Sequence, residues 1–212
     1  GRLNVLDAPA IADALHRHGW WLGHDAIATD MLAALASEAR DWQQQGAMKA
    51  AGVGRGATHQ HSAITRSDSI HWLTGDTAAQ RQYLAVMDAL RVQLNRELFL
   101  GLFEFETHFA HYPPGAFYQK HRDSFAGAAS RVVSVVTYLN EYWPADAGGE
   151  LLVYSADDEQ ELLRIAPEAG TIIIFLSEKI PHEVLPARCD RYSIAGWFRV
   201  NGSSGQRIDL ME

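Results

Sequence analysis

Apolar residues in the first hundred positions recur every three or four residues, which is the spacing of amphipathic helices. Asp7 can cap a first helix over residues 8–18, and Gly19 can end it. Two more helices are predicted, with the apolar stripes Ile27, Met31, Leu35, Ala39 and Trp42 in one and Tyr83, Met87, Leu90, Leu94 and Leu98 in the other. Between these two helices, residues 51–63 are rich in glycine and small side chains and predict a mobile loop.

The pattern changes at Leu102, where alternating and short continuous apolar runs replace the helical spacing. Strands are predicted at residues 69–73, 103–109, 117–121, 131–139, 149–154, 162–166, 171–176, 181–185 and 191–199. Many short strands separated by Gly and Pro are typical of a jelly roll. We therefore predict an α+β fold with a single domain over residues 1–212. A mostly helical part, 1–100, supports a double-stranded β-helix, 101–200.

Composition narrows the classes of function. With 212 residues, 47% of them hydrophobic and 21% charged, the chain is long enough to bury a core without disulfides. Its one cysteine, Cys189, excludes an internal disulfide and favours the reducing cytoplasm. The longest apolar runs, such as 171–176, are far too short to span a bilayer, so no membrane partner is expected. The net charge of −8 argues against nucleic acid as a partner.

Two histidines and an aspartate form a candidate metal site. In a strand, residues i and i+2 share a face, so His121 and Asp123 offer an imidazole and a carboxylate side by side if the strand runs as far as residue 123. His182, which ends a later apolar run, is the natural third ligand. Two His and one carboxylate on one face of a metal leave three positions open, as in non-haem Fe(II) oxygenases. The chain contains 10 histidines, so spacing alone leaves a chance grouping as an open alternative.

Arg191 gives the candidate metal site a chemical context. It lies on the strand predicted after His182, where its side chain is expected to point inward. A buried guanidinium needs an anion, because burial of an unpaired charge is very costly. The far carboxylate of a dicarboxylic cosubstrate would supply that anion through two parallel hydrogen bonds. A structural ion pair with an Asp or Glu is the alternative.

A set of short motifs occurs in a fixed order along the chain. They are Tyr112-Pro113-Pro114-Gly115, Tyr118-Gln119-Lys120-His121-Arg122-Asp123, Tyr138-Leu139-Asn140, Gly148-Gly149, Pro181-His182-Glu183-Val184 and Arg191-Tyr192-Ser193-Ile194. Together they resemble the prolyl hydroxylase domain of the 2-oxoglutarate oxygenases, in particular bacterial relatives of the animal hypoxia-inducible-factor prolyl hydroxylases. The likeness covers roughly residues 50–200, because the segment from Ile64 to Trp72 resembles the one that follows the family's mobile finger loop.

The resemblance implies a role for each matching position. The catalytic Fe(II) ligands would be His121, Asp123 and His182. The residues that bind 2-oxoglutarate would be Arg191 and Tyr138 at its far carboxylate and Tyr112 at its metal-side end. The residues on the substrate side would be Tyr118, Trp197, Arg131, Arg66 and Asp68. Thr137 departs from the animal enzymes, which carry a second tyrosine at that position.

The activity implied by the resemblance is that of a 2-oxoglutarate-dependent dioxygenase, a prolyl 4-hydroxylase that uses Fe(II), 2-oxoglutarate and O2 with ascorbate as reductant. The expected partner is a loop of a protein, and elongation factor Tu is the suspected one; a role in oxygen sensing belongs to the same expectation. Two alternatives stay open. One is a 2-oxoglutarate hydroxylase of a free amino acid or another small molecule, and the other is a non-catalytic module that senses metal or oxygen. The loop at 51–63 favours a protein substrate, since a small molecule needs no long clamp.

Overall fold

Three helices form the N-terminal layer of the computed structural model, which describes residues 6–52, 65–124 and 130–200. They are α1 (Ala8–His18), α2 (Thr29–Gln44) and α3 (Ala78–Leu98). The predicted ends of α1 are confirmed: Asp7 Oδ1 accepts a hydrogen bond from the backbone N–H of Ala10 at 3.1 Å, and Gly19 ends the helix with a φ of 91°. None of the described helices combines the length and apolar character needed to cross a membrane. The predicted mobile loop lies outside the described residues from position 53 onward.

The strands divide between two antiparallel sheets. In chain order they are β1 (Trp20–Gly23), β2 (Lys49–Ala50), β3 (Ser69–Trp72), β4 (Leu102–Tyr112), β5 (Tyr118–His121), β6 (Arg131–Tyr138), β7 (Leu151–Tyr154), β8 (Glu161–Ile165), β9 (Ile172–Leu176), β10 (His182–Val184) and β11 (Arg191–Val200). The larger sheet has the order β1-β9-β6-β11-β4-β3-β2, and the smaller sheet has the order β5-β10-β7-β8. Every predicted strand is present, and the α+β jelly roll is confirmed.

The central strands of the larger sheet are buried on both faces, because the helices cover one face and the smaller sheet covers the other, whereas the edge strand β2 is exposed. β9 illustrates the arrangement: Ile172 and Ile174 pack in the helix-side core, whereas Ile173 and Phe175 pack between the sheets. This burial on both faces explains why the strand is a continuous apolar run rather than an alternating one. The space between the two sheets is where the polar residues of the candidate site meet.

β1 was not predicted from the sequence. It begins directly after the residue that ends α1, and its sequence Trp-Trp-Leu-Gly has no alternation to mark a strand. Its order comes from a partner far along the chain, because β1 pairs with β9 and places Trp20 opposite Phe175. Such long-range pairing leaves no local signal in a short segment.

A buried pair of hydroxyl groups joins α3 to the larger sheet. The Oη atom of Tyr83 lies 2.8 Å from the Oγ1 atom of Thr137, and both side chains are fully buried. Thr137 is the position where the animal enzymes carry a tyrosine. Its side chain faces the helix layer, so threonine at this position allows a hydrogen bond between the sheet and Tyr83 of α3.

Replacing Thr137 with Val is expected to lower the free energy of unfolding by about 1–3 kcal/mol, because the Tyr83 hydroxyl loses its buried partner. Combining Thr137→Val with Tyr83→Phe is expected to restore most of that loss, since neither side then buries an unpaired polar atom. Urea unfolding of the wild type, both single variants and the double variant measures the cycle. Simple additivity of the two single losses would show that the hydroxyl pair does not act as a unit.

Candidate active site

The three predicted metal ligands meet between the sheets. The ligand atoms of His121, Asp123 and His182 all lie within 4.8 Å of one another. Asp123 Oδ1 lies 3.2 Å from the Nε2 atom of His121 and 3.1 Å from the Nε2 atom of His182. The pairing of β10 with β5 places His182 directly opposite His121 in the smaller sheet.

The local route to this grouping differs from the simple strand pattern. β5 ends at His121, and Asp123 lies in a bend just beyond the strand. The i and i+2 alternation of a regular strand therefore does not orient Asp123. Its orientation comes instead from hydrogen bonds to the larger sheet.

Both histidines have their tautomer fixed by backbone carbonyls. Nδ1 of His121 lies 2.7 Å from the carbonyl oxygen of Gln119, and Nδ1 of His182 lies 3.0 Å from that of Ile180. A carbonyl only accepts, so each Nδ1–H donates and each Nε2, which faces Asp123 Oδ1, is the nitrogen left for a metal. Without a metal, an Nε2 that carries a proton donates to Oδ1. A backbone or carboxylate partner on the second ring nitrogen is the usual support of a metal-binding histidine.

The second oxygen of the Asp123 carboxylate is held by two donors from the larger sheet. Oδ2 accepts hydrogen bonds from Ser134 Oγ at 2.7 Å and from Trp197 Nε1 at 3.0 Å. These two residues are direct neighbours across the β6–β11 pairing. Ser134 Oγ also lies 2.8 Å from Ser177 Oγ, so a buried chain of hydroxyls leads to the carboxylate.

The charges of the three ligands are coupled. Burial alone would raise the pKa of Asp123, but the imidazoles of His182 and His121 hold it well below its usual value. Burial opposes charge on His182, yet Asp123 raises its pKa above the ordinary value. Burial and the neighbouring His182 lower the pKa of His121. The carboxylate thus stays anionic and draws positive charge into the site, as a cation site requires.

The donor set fits Fe(II). It consists of two imidazole Nε2 atoms and one carboxylate oxygen, contributed from one side by the smaller sheet and the bend after β5. A structural zinc site would close its coordination with a fourth protein ligand, but among the described residues no further His, Cys, Asp or Glu joins the group. Three protein ligands with open positions are the arrangement of the facial triad.

Arg191 is a buried cation without a carboxylate partner among the described residues. Its side chain is 1% exposed, and its Nε donates to the carbonyl oxygen of Gly149 at 2.8 Å. Its Nη2 atom and the hydroxyl of Tyr138 make no hydrogen bond of normal geometry. Burial raises the pKa of the Tyr138 hydroxyl, and the nearby Arg191 guanidinium opposes that rise. The rings of Tyr112 and Tyr138 flank the guanidinium, with centroids 4.9 Å and 5.1 Å from its carbon. The structural ion pair that was the alternative for Arg191 is therefore not found in the described chain.

Two loop motifs hold Arg191 in place. Gly149 has a φ of 72°, and a Cβ there would come within 2.8 Å of side-chain atoms of Ala187 and Trp143, so the close approach requires glycine. Asn140 ties the end of β6 to the start of β11: its Oδ1 accepts from the N–H of Tyr192, and its Nδ2 donates to the Tyr192 carbonyl. These contacts give the Gly-Gly and Tyr-Leu-Asn motifs a structural purpose.

The predicted substrate-side residues form a wall beside His121. The ring of Tyr118 stacks on the His121 imidazole with centroids 3.6 Å apart. The guanidinium of Arg66 lies 4.1 Å from the centroid of the Tyr118 ring and makes a two-point ion pair with buried Asp68, at 2.8 Å and 2.7 Å. Arg66 and Asp68 thus shape the wall as a neutral pair rather than as free charges.

A second part of the wall comes from the larger sheet. The guanidinium of Arg131 stacks over the ring of Trp197 at 3.8 Å from its centroid, and an Arg131 nitrogen lies 3.3 Å from Glu106. Trp197 was predicted to line the pocket, and it also contacts Asp123 through its indole N–H. Arg131, Trp197 and Asp123 are therefore linked directly, from the wall to the candidate metal ligand.

Ser134 and Ser177 were missed in the sequence. A signal for Ser134 was present, because it is a lone serine in the apolar run of β6 and shares a strand face with Tyr138. Ser177 follows β9 and had no comparable signal.

Known proteins of similar sequence and fold place this chain among the oxygenases. Residues 107–199 match the sequence profile of the 2OG-Fe(II) oxygenase superfamily. A prolyl-4-hydroxylase from Pseudomonas putida is 42% identical, and the match covers 92% of this chain and 100% of that chain with a TM-score of 0.83. A prolyl hydroxylase from Trichoplax adhaerens, solved with a peptide fragment of the hypoxia-inducible factor oxygen degradation domain, is 26% identical over 91% of this chain and 88% of that one, with a TM-score of 0.80.

The match to longer proteins is partial. Egl nine homolog 1 from Rattus norvegicus is 34% identical over 109 residues, which is 45% of this chain and 32% of that protein. The chain thus spans about a third of the length of the curated relative it matches.

Proposed function

This chain belongs to the 2OG-Fe(II) oxygenase superfamily, as one of its prolyl hydroxylase domains, and on that premise we propose that it hydroxylates prolyl residues of a protein with Fe(II), 2-oxoglutarate and O2. In this proposal His121, Asp123 and His182 are the catalytic metal ligands. Arg191 and Tyr138 would bind the far carboxylate of 2-oxoglutarate, and Tyr112 would reach the metal-side end of the cosubstrate.

One observation carries the proposal. A buried guanidinium with an unused Nη2 and a tyrosine hydroxyl without a partner lie on the same inter-sheet face as the donors to Asp123. Two buried polar groups left open in this way are costly unless a ligand pairs with them. A dicarboxylate that reaches from the metal ligands to Arg191 satisfies both groups and uses two of the open metal positions.

The chain's own residues position and shield the reaction. When bound, Fe(II) and 2-oxoglutarate supply the oxidising chemistry, in which one atom of O2 enters succinate and the other a substrate C–H bond, with loss of CO2. The Nε2 atoms of His121 and His182 and the Oδ1 atom of Asp123 would hold the metal, and these three protein ligands would leave coordination positions for 2-oxoglutarate and O2. Tyr118 covers the outer face of His121 and so limits the access of water to that ligand.

The wall next to the metal is the proposed binding surface for the prolyl loop. It comprises Tyr118, Trp197, Arg131, Arg66 and Asp68. The Tyr118 ring is held by His121 and Arg66, and the Trp197 ring is covered by Arg131, so these contacts make the surface rigid. The names of the relatives from Pseudomonas putida and Trichoplax adhaerens support a prolyl residue in a protein as the target.

The proposal also covers the identity of the protein substrate, the location of the protein in the cell, the reductant and the biological role. Elongation factor Tu is the substrate we propose, on the motif resemblance to bacterial relatives. A cytoplasmic location, ascorbate as reductant and a role in oxygen sensing belong to the same proposal. The single cysteine is compatible with a reducing compartment.

The test measures succinate and substrate mass together. The protein is incubated with Fe(II), ascorbate, 2-oxoglutarate and either elongation factor Tu or prolyl peptides. We expect substrate-stimulated succinate and a mass gain of one oxygen on a prolyl residue. Fragmentation of the product peptide then identifies the hydroxylated carbon.

The outcomes separate the alternatives. Succinate that rises with a free amino acid but not with any protein or peptide would favour a small-molecule hydroxylase. Anaerobic absorption with Fe(II) and 2-oxoglutarate tests chelation directly, and the absence of a charge-transfer band would favour a non-catalytic sensor. Activity on other prolyl proteins but not on elongation factor Tu would overturn only the choice of substrate.

A further inference from the structure

The two oxygens of the Asp123 carboxylate have different surroundings. Oδ1 faces the Nε2 atoms of both histidines, at 3.2 Å and 3.1 Å. Oδ2 faces the larger sheet and accepts from Ser134 and Trp197. A carboxylate can bind a metal through one oxygen or through both. The surroundings of Oδ2 therefore bear on how many coordination positions Asp123 takes.

The hydrogen bonds around Oδ2 have a fixed direction. An ionised carboxylate only accepts, so the single proton of the Ser134 hydroxyl points to Asp123. The contact between Ser134 and Ser177 must then be donated by the Ser177 hydroxyl. Both serines are buried, at 1% and 0% exposure, so no water competes for these groups. Each hydroxyl polarises the next in such a chain, which strengthens the bond to Oδ2.

Ser177 itself is held by the backbone. Its N–H donates to the carbonyl of Val132 at 2.9 Å, and its own carbonyl accepts from the N–H of Ser124 at 3.2 Å. Ser124 directly follows Asp123, so the same residue fixes the chain next to the ligand and the hydroxyl that supports Ser134. The serine pair is therefore a rigid part of the sheet rather than an adaptable surface group.

We propose that the Ser177–Ser134 hydroxyl pair is a positioning device that keeps Asp123 a one-oxygen metal ligand and thereby preserves the coordination position that 2-oxoglutarate needs. The inference rests on the proposed function, because it assumes a metal on the triad. Three single-atom ligands leave three positions of an octahedral metal, two for the chelating cosubstrate and one for O2. A two-oxygen carboxylate would leave only two. Rotation of Asp123 into that geometry would strip both Ser134 and Trp197 of their acceptor inside the core.

The test uses Co(II) as the metal probe and measures two affinities. Ser134→Ala is expected to bind Co(II) at least as tightly as the wild type, because Oδ2, then held only by the Trp197 N–H, turns more easily toward the metal. Its affinity for 2-oxoglutarate on the Co(II) protein is expected to fall about tenfold, since the cosubstrate must displace that oxygen. Absorption titration gives the first value and calorimetry the second. The visible spectrum of Co(II) before 2-oxoglutarate is added should also change, because the coordination number changes.

Three further variants separate positioning from folding. Ser177→Ala should give a smaller loss of 2-oxoglutarate affinity, since Ser134 still donates but is no longer polarised. Ser134→Cys replaces the hydroxyl with a larger thiol that is a weaker donor, and its 2-oxoglutarate affinity should fall between those of Ser134→Ala and the wild type. Thr137→Val is the matched control: it removes a buried hydroxyl from the same strand but on the opposite face, so it should cost stability and leave both affinities unchanged.

The results that would overturn the inference are distinct. Unchanged 2-oxoglutarate affinity in Ser134→Ala would exclude a positioning role. Loss of both affinities in step with a lower melting temperature of the metal-free protein would show that the serine acts only in folding. A wild-type protein that binds no Co(II), or a His182→Ala variant that still binds it, would overturn the metal site itself and this inference with it.

Discussion

An Asp123→Asn protein is expected to fold like the wild type, to lose tight metal binding and to form no succinate. The amide has one accepting oxygen, and Ser134 and Trp197 both donate toward the position of Oδ2. The oxygen is therefore expected to take that position, which turns the NH2 group toward the two imidazoles. An amide NH2 has no lone pair to give to a metal. The variant keeps the shape of the side chain but removes the oxygen that would bind the metal.

Asp123→Ala serves as the comparison. It also removes the ligand, but it leaves the Ser134 hydroxyl and the Trp197 N–H without an acceptor in the core, at a cost of about 1–3 kcal/mol for each. We expect the alanine variant to be less stable than the asparagine variant, whereas both lack turnover. Metal content after dialysis, succinate formation and thermal unfolding measure the three properties.

The control for Asp123→Asn is Asp88→Asn, a change of the same type at an exposed ion pair with Arg91 on α3. It is expected to leave metal binding and turnover unchanged, because surface pairs contribute little and this one is on the helix layer. Succinate formation by Asp123→Asn at a rate near that of the wild type would show that the carboxylate is not a required ligand.

The fold and the ligands could be predicted from the sequence to different depths and for different reasons. The change from helical spacing to short apolar runs near Leu102 marked the boundary between the helical layer and the roll. The grouping of His121, Asp123 and His182 was predicted because metal chemistry demands particular residue types and the ordered motifs mark their positions, and the structure brings the three side chains together. Arg191 followed from a simple argument of charge and burial, and the structure places it at 1% exposure.

What the sequence left open depends on pairing between distant segments. The regular-strand argument for Asp123 required a strand that runs past His121, and this condition is not met because β5 ends at His121, although the two side chains do lie together. The carboxylate is oriented by Ser134 and Trp197, which become neighbours only through the register of β6 on β11. Thr137 is a similar case, because its hydrogen bond depends on the packing of α3, which places Tyr83 against it. A local sequence pattern predicts on which side of a sheet a side chain lies. The strand register and the packing of the layers decide which side chains become neighbours there.

Replacing Arg191 with Met is expected to weaken the binding of 2-oxoglutarate without lowering the free energy of unfolding of the free protein. In the metal-free, cosubstrate-free protein the guanidinium is buried without a carboxylate partner among the described residues, so its removal should leave the free energy of unfolding unchanged or raise it. With 2-oxoglutarate present, the far carboxylate would lose its charged partner inside the core. A loss of about 3 kcal/mol for such a broken buried pair corresponds to roughly 100-fold weaker binding.

Arg191→Lys separates charge from shape. It keeps the cation but replaces the two-point fork with a single ammonium, so we expect a smaller loss of 2-oxoglutarate affinity than in Arg191→Met. Arg188→Met is the matched control, because Arg188 lies nearby in the chain but its side chain is 78% exposed and pairs with exposed Asp146. Its stability and affinity should match those of the wild type. A 2-oxoglutarate affinity of Arg191→Met equal to that of Arg188→Met would mean that the buried cation does not hold the dicarboxylate. In that case the open groups on Arg191 and Tyr138 would require another ligand, since their burial leaves them costly in the free protein.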